Sequence, residues 1–208
     1  MYEYKVAVTE EEKQKVLSLI KSTYKKRGYF SDVGHDESFG KYLLLPNTKM
    51  FTAGINGELF GTVSVVNDSD VGLPMDYLNK NELQSLRSQG YKLAEVTQYA
   101  IDHDIIKKND STFNPLKQYM ASLPMLNLVF HYALYLECDY LVIATTPEHA
   151  MFYTTLGFEV ISEKKFYSSV NTWGIAQALS VKKIKENKNK SGILDKILEE
   201  VPDYSLFK

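Results

Sequence analysis

One cysteine, four histidines and no long apolar run set the first limits on this chain of 208 residues. The lone cysteine, Cys138, excludes an intramolecular disulfide framework and fits a reducing compartment. It stands in an apolar helical run, which suits a buried, inert thiol better than a nucleophile. His35, His103, His131 and His149 show no metal-ligand spacing, so no metal is expected. No apolar stretch is long enough to span a bilayer, which argues against integral membrane contact. The opening MYEYKVAVTEEEK lacks the apolar core of a signal peptide, and the expected compartment is the cytoplasm. A formal charge of −2 leaves no concentrated basic excess, so nucleic acid is not an expected partner.

What is present is enough apolar material, 44% of residues, for one substantial core. The pattern predicts a short strand at Tyr4–Val8. A helix follows, opened by a capping box of Thr9 and Glu12 and closed by Lys25-Lys26-Arg27-Gly28. Its buried face is expected from Val16, Leu17, Ile20 and Tyr24. The loop from Tyr29 to Asn47 is long for a compact domain, which points to function. Lys49–Ile55 and Glu58–Val66 read as a hairpin through Asn56-Gly57, the pair a type I′ turn prefers. A short helix stops at Gly90, a strand spans Lys92–Asp102, and His103–Asn114 reads as a polar loop. Pro115 opens an apolar helix running to about Glu137, interrupted or kinked at Pro124. Then come a strand at Tyr140–Thr145, a helix at Pro147–Leu156 stopped by Gly157, and strands at Phe158–Tyr167 and Gly174–Ile184. Residues 1–184 would form one α/β domain with a mixed central sheet flanked by helices. Residues 185–208 would add a lysine-rich linker and a terminal amphipathic helix.

The strand KLAEVTQYAID organises the rest. Strict alternation places Leu93, Glu95, Thr97, Tyr99 and Ile101 on one face and Ala94, Val96, Gln98 and Ala100 on the other. Glu95 thus shares a face with apolar side chains. A carboxylate held there is desolvated, its pKa rises, and it becomes a better proton acceptor near neutral pH. A structural ion pair would place a glutamate in the same way.

Two stretches carry a resemblance. FYTTLGFE, Phe152 to Glu159, looks like the helix–turn–strand motif of the N-acetyltransferase (GNAT) superfamily. Gly61-Thr62, Asp68-Ser69, Gly72-Leu73-Pro74, Glu82-Leu83, Leu86-Arg87, Gly90 and Leu93-Ala94-Glu95-Val96-Thr97 resemble, in order, bacterial N-acyl amino acid synthases. That family is related to acyl-homoserine-lactone autoinducer synthases, and Pro147-Glu148-His149 resembles its Pro-x-His element. The resemblance runs from about Val16 to about Ile184 and implies a GNAT-like acyl-CoA N-acyltransferase fold. It implies transfer of a long-chain acyl group from a phosphopantetheine thioester to the amine of an amino acid or similar small amine. The donor would be acyl carrier protein or CoA, with no tightly bound cofactor. Acetyl-CoA-using relatives carry a glycine-rich turn after the central strand that cradles pyrophosphate. HDIIKKNDSTFN has no glycine there, which favours the carrier protein. Lys107, Lys108 and Lys117 flank that position and would meet an acidic carrier.

Amide formation needs a neutral amine, a polarised carbonyl and a protonated leaving thiolate. Glu95 is the candidate base and Tyr153 the candidate acid at sulfur, although a tyrosine there also suits packing between helix and sheet. Backbone amides around Thr97, Gln98, Tyr99 and Ala100 would polarise the carbonyl if the strand splays from its neighbour. His149 would contact the pantetheine arm, or be held structurally beside Glu148. Arg27, Asp36 and Arg87 are candidates for the amine substrate. The relatives often carry arginine near this strand where Tyr91 and Gln98 stand, so a substrate carboxylate would fall to Arg27 or Arg87, unless the amine differs or activity is reduced. Phe30, Phe39, Tyr42, Phe130 and Tyr135 suit an acyl pocket or, more simply, the core. Two other functions fit the residues: an acetyl-CoA-dependent or autoinducer-type transferase, and a non-catalytic acyl- or carrier-binding protein.

Overall fold

The computed structural model describes residues 1–29, 41–110, 112, 114–186 and 192–208. The strands are β1 (Tyr2–Val6), β2 (Thr48–Ile55), β3 (Glu58–Asn67), β4 (Leu93–Ile101), β5 (Tyr140–Thr145), β6 (Glu159–Val160), β7 (Lys165–Tyr167) and β8 (Thr172–Ser180). They run in the order β1-β2-β3-β4-β5-β8-β6, with β7 paired to β8. Only β4 and β5 are parallel among the described pairs. The helices are α1 (Glu10–Lys26), α2 (Asp76–Arg87), α3 (His103–Asn109), α4 (Pro115–Leu136), α5 (Pro147–Thr155), α6 (Val181–Glu186) and α7 (Ile193–Leu198). The parallel pair follows from its connection: α3 and α4 supply the crossover that a parallel neighbour requires.

Local chemistry sets most of the boundaries. Thr9 Oγ1 accepts the Glu12 N–H at 3.2 Å while Glu12 Oε2 accepts the Thr9 N–H at 3.1 Å, closing the capping box. Asn56 and Gly57 have φ of 51° and 82°, the left-handed pair that a type I′ turn needs. On one face of the sheet, Val65, Ala94, Val96, Leu141 and Ile143 pack with Met125, Val129 and Ala133 of α4. On the other, Val66, Leu93 and Val142 pack with Leu73, Met75 and Leu83, while Met50 and Ala100 pack with Val16 and Ile20 of α1.

Several expectations are corrected. His103–Asn109 is a helix rather than a loop: Asp102 caps it by accepting the Asp104 N–H at 3.0 Å, and Ile106 is fully buried. One buried residue in seven leaves too little periodicity to read. The strand expected over Phe158–Tyr167 is two short pieces, β6 and β7. The last strand starts two residues early and stops at Ser180, where α6 begins, with Val181 and Ile184 buried. Val181 and Ile184 stand three apart with Lys182 and Lys183 between them, a spacing that suits a helix, and both are buried. In the C-terminal segment Leu194, Ile197 and Phe207 join the main core. Asn127 Nδ2 of α4 donates to the carbonyls of Ile197 at 2.5 Å and Glu200 at 2.7 Å.

Candidate active site

β4 carries the feature from which the site grows. Its register with β3 shifts, so that Ser64 faces Thr97 and Thr62 faces Ala100. Val63 therefore stands opposite both Gln98 and Tyr99, which is a β-bulge. Gln98 takes φ 53°, a left-handed conformation that costs a non-glycine residue about 1–2 kcal/mol. The bulge corrects the simple alternation: Tyr99 and Ile101 turn to the α4 face beside Val96, and Ala100 turns toward α1. Pairing of β4 with β5 ends at Val96 and Ile143. Beyond it, β4 stays with β3 and β5 stays with β8, so the two strands part.

Cavities open on both sides of this split. One, of about 520 Å³, is lined by Glu95, Met75, Tyr42, Tyr167 and Trp173. The other, of about 420 Å³, is lined by Tyr153, His149, Phe152, Leu126 and Ser122. Thr97, Gln98 and Ala144–Thr146 border both, so the split joins them. Each volume suits a small molecule or a chain segment.

Glu95 lies under the first cavity, 3% exposed, and accepts the Met75 N–H at 2.7 Å. Burial pushes its carboxyl well above the usual range. The Met75 N–H opposes the shift, Asp76 and Asp68 add to it, and Arg87 opposes it. The turn that brings Met75 to Glu95 is itself clamped. Arg87 donates to Asp68 from Nε at 2.6 Å and from Nη2 at 3.0 Å, and to Asp76 from Nη1 at 2.7 Å and Nη2 at 2.8 Å. Asp76 Oδ2 in turn accepts the Leu73 N–H at 2.7 Å. At Gly72, φ is +79° and a Cβ would meet that same oxygen at 2.7 Å, so the turn needs glycine.

Tyr153 is nearly buried, edge-on to Phe152 and Phe158. Burial drives its hydroxyl far above the ordinary tyrosine range, with Tyr99 and Tyr24 contributing, so it keeps its proton. His149 is exposed at the start of α5, its Nδ1 2.8 Å from Thr146 Oγ1, a partner not foreseen in place of Glu148. Among the remaining candidates, Thr97 and Gln98 border both cavities and Tyr99 only the second. Arg27, expected at the amine substrate, lines the second cavity instead. Arg87 lines neither; its guanidinium is taken up by the two aspartates. Asp36, His35, Phe30 and Phe39 lie outside the described residues, as does the side chain of Lys117. Tyr42 borders the first cavity, whereas Phe130 is core and Tyr135 packs on Tyr204 and Phe207. Cys138 is buried and its thiol is pushed up to about 12, in keeping with an inert role. No metal-ligand cluster occurs among the described residues, and none of their helices is long and apolar enough to cross a membrane. The residues sequence reasoning missed are Met75, Asp76, Asn79 and Tyr167. The Asp68, Gly72 and Arg87 motifs marked their neighbourhood without showing their contacts.

A strand bulged and parted from its parallel neighbour, with a cavity on either side, defines the class by architecture: this is the acyl-CoA N-acyltransferase (GNAT) fold. An N-acetyltransferase from Staphylococcus aureus Mu50 superposes with a TM-score of 0.55 over 87% of this chain and 98% of that one, at 13% identity. The AHL synthase LasI gives 0.55 over 87% and 89%, at 16% identity. The model of the N-acyl amino acid synthase FeeM family matches residues 15–179. FeeM itself, an N-acyl amino acid synthase from uncultured soil microbes, is 34% identical, with a TM-score of 0.79 over 88% of this chain and 93% of its own. The chain belongs to the FeeM family of N-acyl amino acid synthases. No curated protein matches it.

Proposed function

We propose that the protein transfers a long-chain acyl group from acyl carrier protein to the amine of an amino acid or similar small amine. The observation that carries this reading is the pair of cavities meeting at the β4–β5 split, with Glu95 in one and Tyr153 and His149 in the other. The thioester arm enters from the Tyr153 side and the amine from the Glu95 side. Glu95 takes a proton from the amine, directly or through water. Nitrogen bonds to the acyl carbon, the carbon–sulfur bond breaks, and Tyr153 protonates the departing thiolate. The tetrahedral oxyanion would sit against the backbone of residues 97–100, where β4 has left its pairing with β5. A base whose pKa is raised toward the working pH suits the first step.

Two features support a carrier donor over free CoA. Residues 103–114 contain no glycine, and the first turn of α3 is already capped by the Asp102 carboxylate, which disfavours a pyrophosphate there. Lys107 stands exposed one turn from His103 on the second cavity's border. Lys108, also exposed, forms an ion pair with Glu58 at 2.7 Å. The test is incubation with acyl-carrier-protein thioester and mixed amino acids, followed by mass spectrometry for amides. Folded protein that yields no amide would overturn the reading. Tight binding of CoA with indifference to carrier protein would select the CoA-dependent alternative.

A further inference from the structure

We propose that Tyr167 binds the acceptor: its hydroxyl donates to the carboxylate of the incoming amino acid. This deepens the reading above and rests on an amino acid being the acceptor. Tyr167 lies on the wall of the Glu95 cavity. Its oxygen receives a hydrogen bond of 2.5 Å from Nδ2 of Asn79. Asn79 is fully buried, at a bend in α2 where φ is −118° and ψ 31°. With Asn79 supplying the donor, the phenol oxygen acts as acceptor in that bond, which leaves its own hydrogen for a different acceptor.

The ring is seated as closely as its oxygen. It packs close against Gly174, where a Cβ would come within 2.5 Å of Cε2 and 2.8 Å of Cδ2. Any larger residue at 174 would push the ring off its seat. Two residues earlier on the same strand, Lys165 Nζ donates to the Leu78 carbonyl at 2.9 Å and to Glu82 at 2.6 Å, tying β7 to α2. Such a fixed hydroxyl loses little entropy on binding a ligand.

A neutral donor also answers an electrostatic problem. An arginine against the carboxylate subsite would stabilise ionised Glu95 and lower its pKa, weakening it as a base near neutral pH. Among the described residues lining this cavity, Lys41 is the one cation. Tyr167 keeps its proton, since burial and the nearby Glu95 and Glu82 hold it at about 12 despite the Asn79 bond. It can therefore recognise a carboxylate without bringing a positive charge to Glu95.

The test is titration of the common amino acids, and of their decarboxylated amines, into wild type, Tyr167→Phe and Gly174→Ala, followed by calorimetry or NMR, with melting curves recorded. Phenylalanine keeps the ring and removes the donor; alanine at 174 keeps the hydroxyl and displaces it. Both variants should bind the preferred amino acid about tenfold or more weakly, the usual scale for a hydrogen bond to a charged group. The decarboxylated amine should bind Tyr167→Phe as it binds wild type. Unchanged amino acid affinity in Tyr167→Phe would overturn the proposal, since the phenol would then only serve Asn79. Equal losses for both ligands, or no amino acid binding to wild type at all, would overturn it too. Amino acid binding without amide formation would instead sink the transferase reading and leave the subsite standing.

Discussion

The two sides of the β4–β5 split are built differently. The Glu95 side is a polar framework: a buried acid on a backbone N–H, an arginine clamping two aspartates, a buried asparagine holding a phenol. The Tyr153 side sets Val96, Ile101, Leu126, Ile143 and Phe152 beside Tyr153, with Arg27 exposed on its border and Lys107 exposed one turn from His103. The contrast fits the ligands proposed for each. A small amine must be held while a proton is taken from it, which rewards a rigid polar cage. An acyl-pantetheine arm is flexible and brings much of its binding energy on its carrier, so a groove with charge at its mouth suffices.

The largest expected effect breaks the polar side. Glu95→Gln should lower turnover by about two to four orders of magnitude, the scale for losing a general base, with donor affinity nearly unchanged. Glutamine still offers the Met75 N–H an acceptor, so the variant should fold. A loss below threefold in steady-state kinetics would remove Glu95 from the mechanism.

Arg87→Ala comes next. It leaves Asp68 and Asp76 facing each other without their shared cation, and should cost about 2–3 kcal/mol by denaturant unfolding, below the range for fully buried pairs because each side chain keeps about a fifth of its surface exposed. Arg87→Lys should recover only part, because an ammonium cannot reproduce the forked contact with both carboxylates. If Arg87 instead bound substrate, stability would hardly change and amine affinity would fall.

On the opposite side of the split, reversing Lys107 and Lys108 to Glu should raise the Michaelis constant for acyl-carrier protein about tenfold, or ~1.4 kcal/mol. Turnover of a short pantetheine thioester should stay nearly constant, and the effect should shrink as salt rises. Equal loss with both donors would show that the lysines act through folding.

The smallest effect is one of pH. Glu95 has its folded pKa raised well above the ordinary carboxylate value of 4.5, so it ionises first in the unfolded chain. Below about 4.5 the group costs nothing; as pH rises toward its folded pKa, stability is lost. Glu95→Gln should therefore match wild type in melting temperature near pH 4 and exceed it increasingly toward neutrality. A constant difference across that range would mean Glu95 is not desolvated as described.

Local codes explain what could be read from the chain. Thr9 with Glu12, Asn56-Gly57 and Gly157 act within a few residues, so each turn or cap is specified where it is written. The placement of Glu95 on a buried face also followed from local alternation, because residues 93–96 lie before the bulge. Alternation failed at Gln98 because nothing local demands a left-handed glutamine; the register with β3 does. The partners of Arg87 were missed for a like reason. A helix-ending arginine reads the same whether it meets a substrate or two aspartates 11 and 19 residues away. Asn79 and Tyr167 are 88 residues apart, and only the closure of β7 and β8 over α2 makes them partners. The sequence by itself determined the elements, most of their order and the buried acid, because those depend on short-range periodicity and turn chemistry. The tertiary structure alone decided where β4 leaves β5, which charges are already satisfied and which phenol Asn79 holds on the cavity wall, because each depends on groups that meet only when the sheet is assembled.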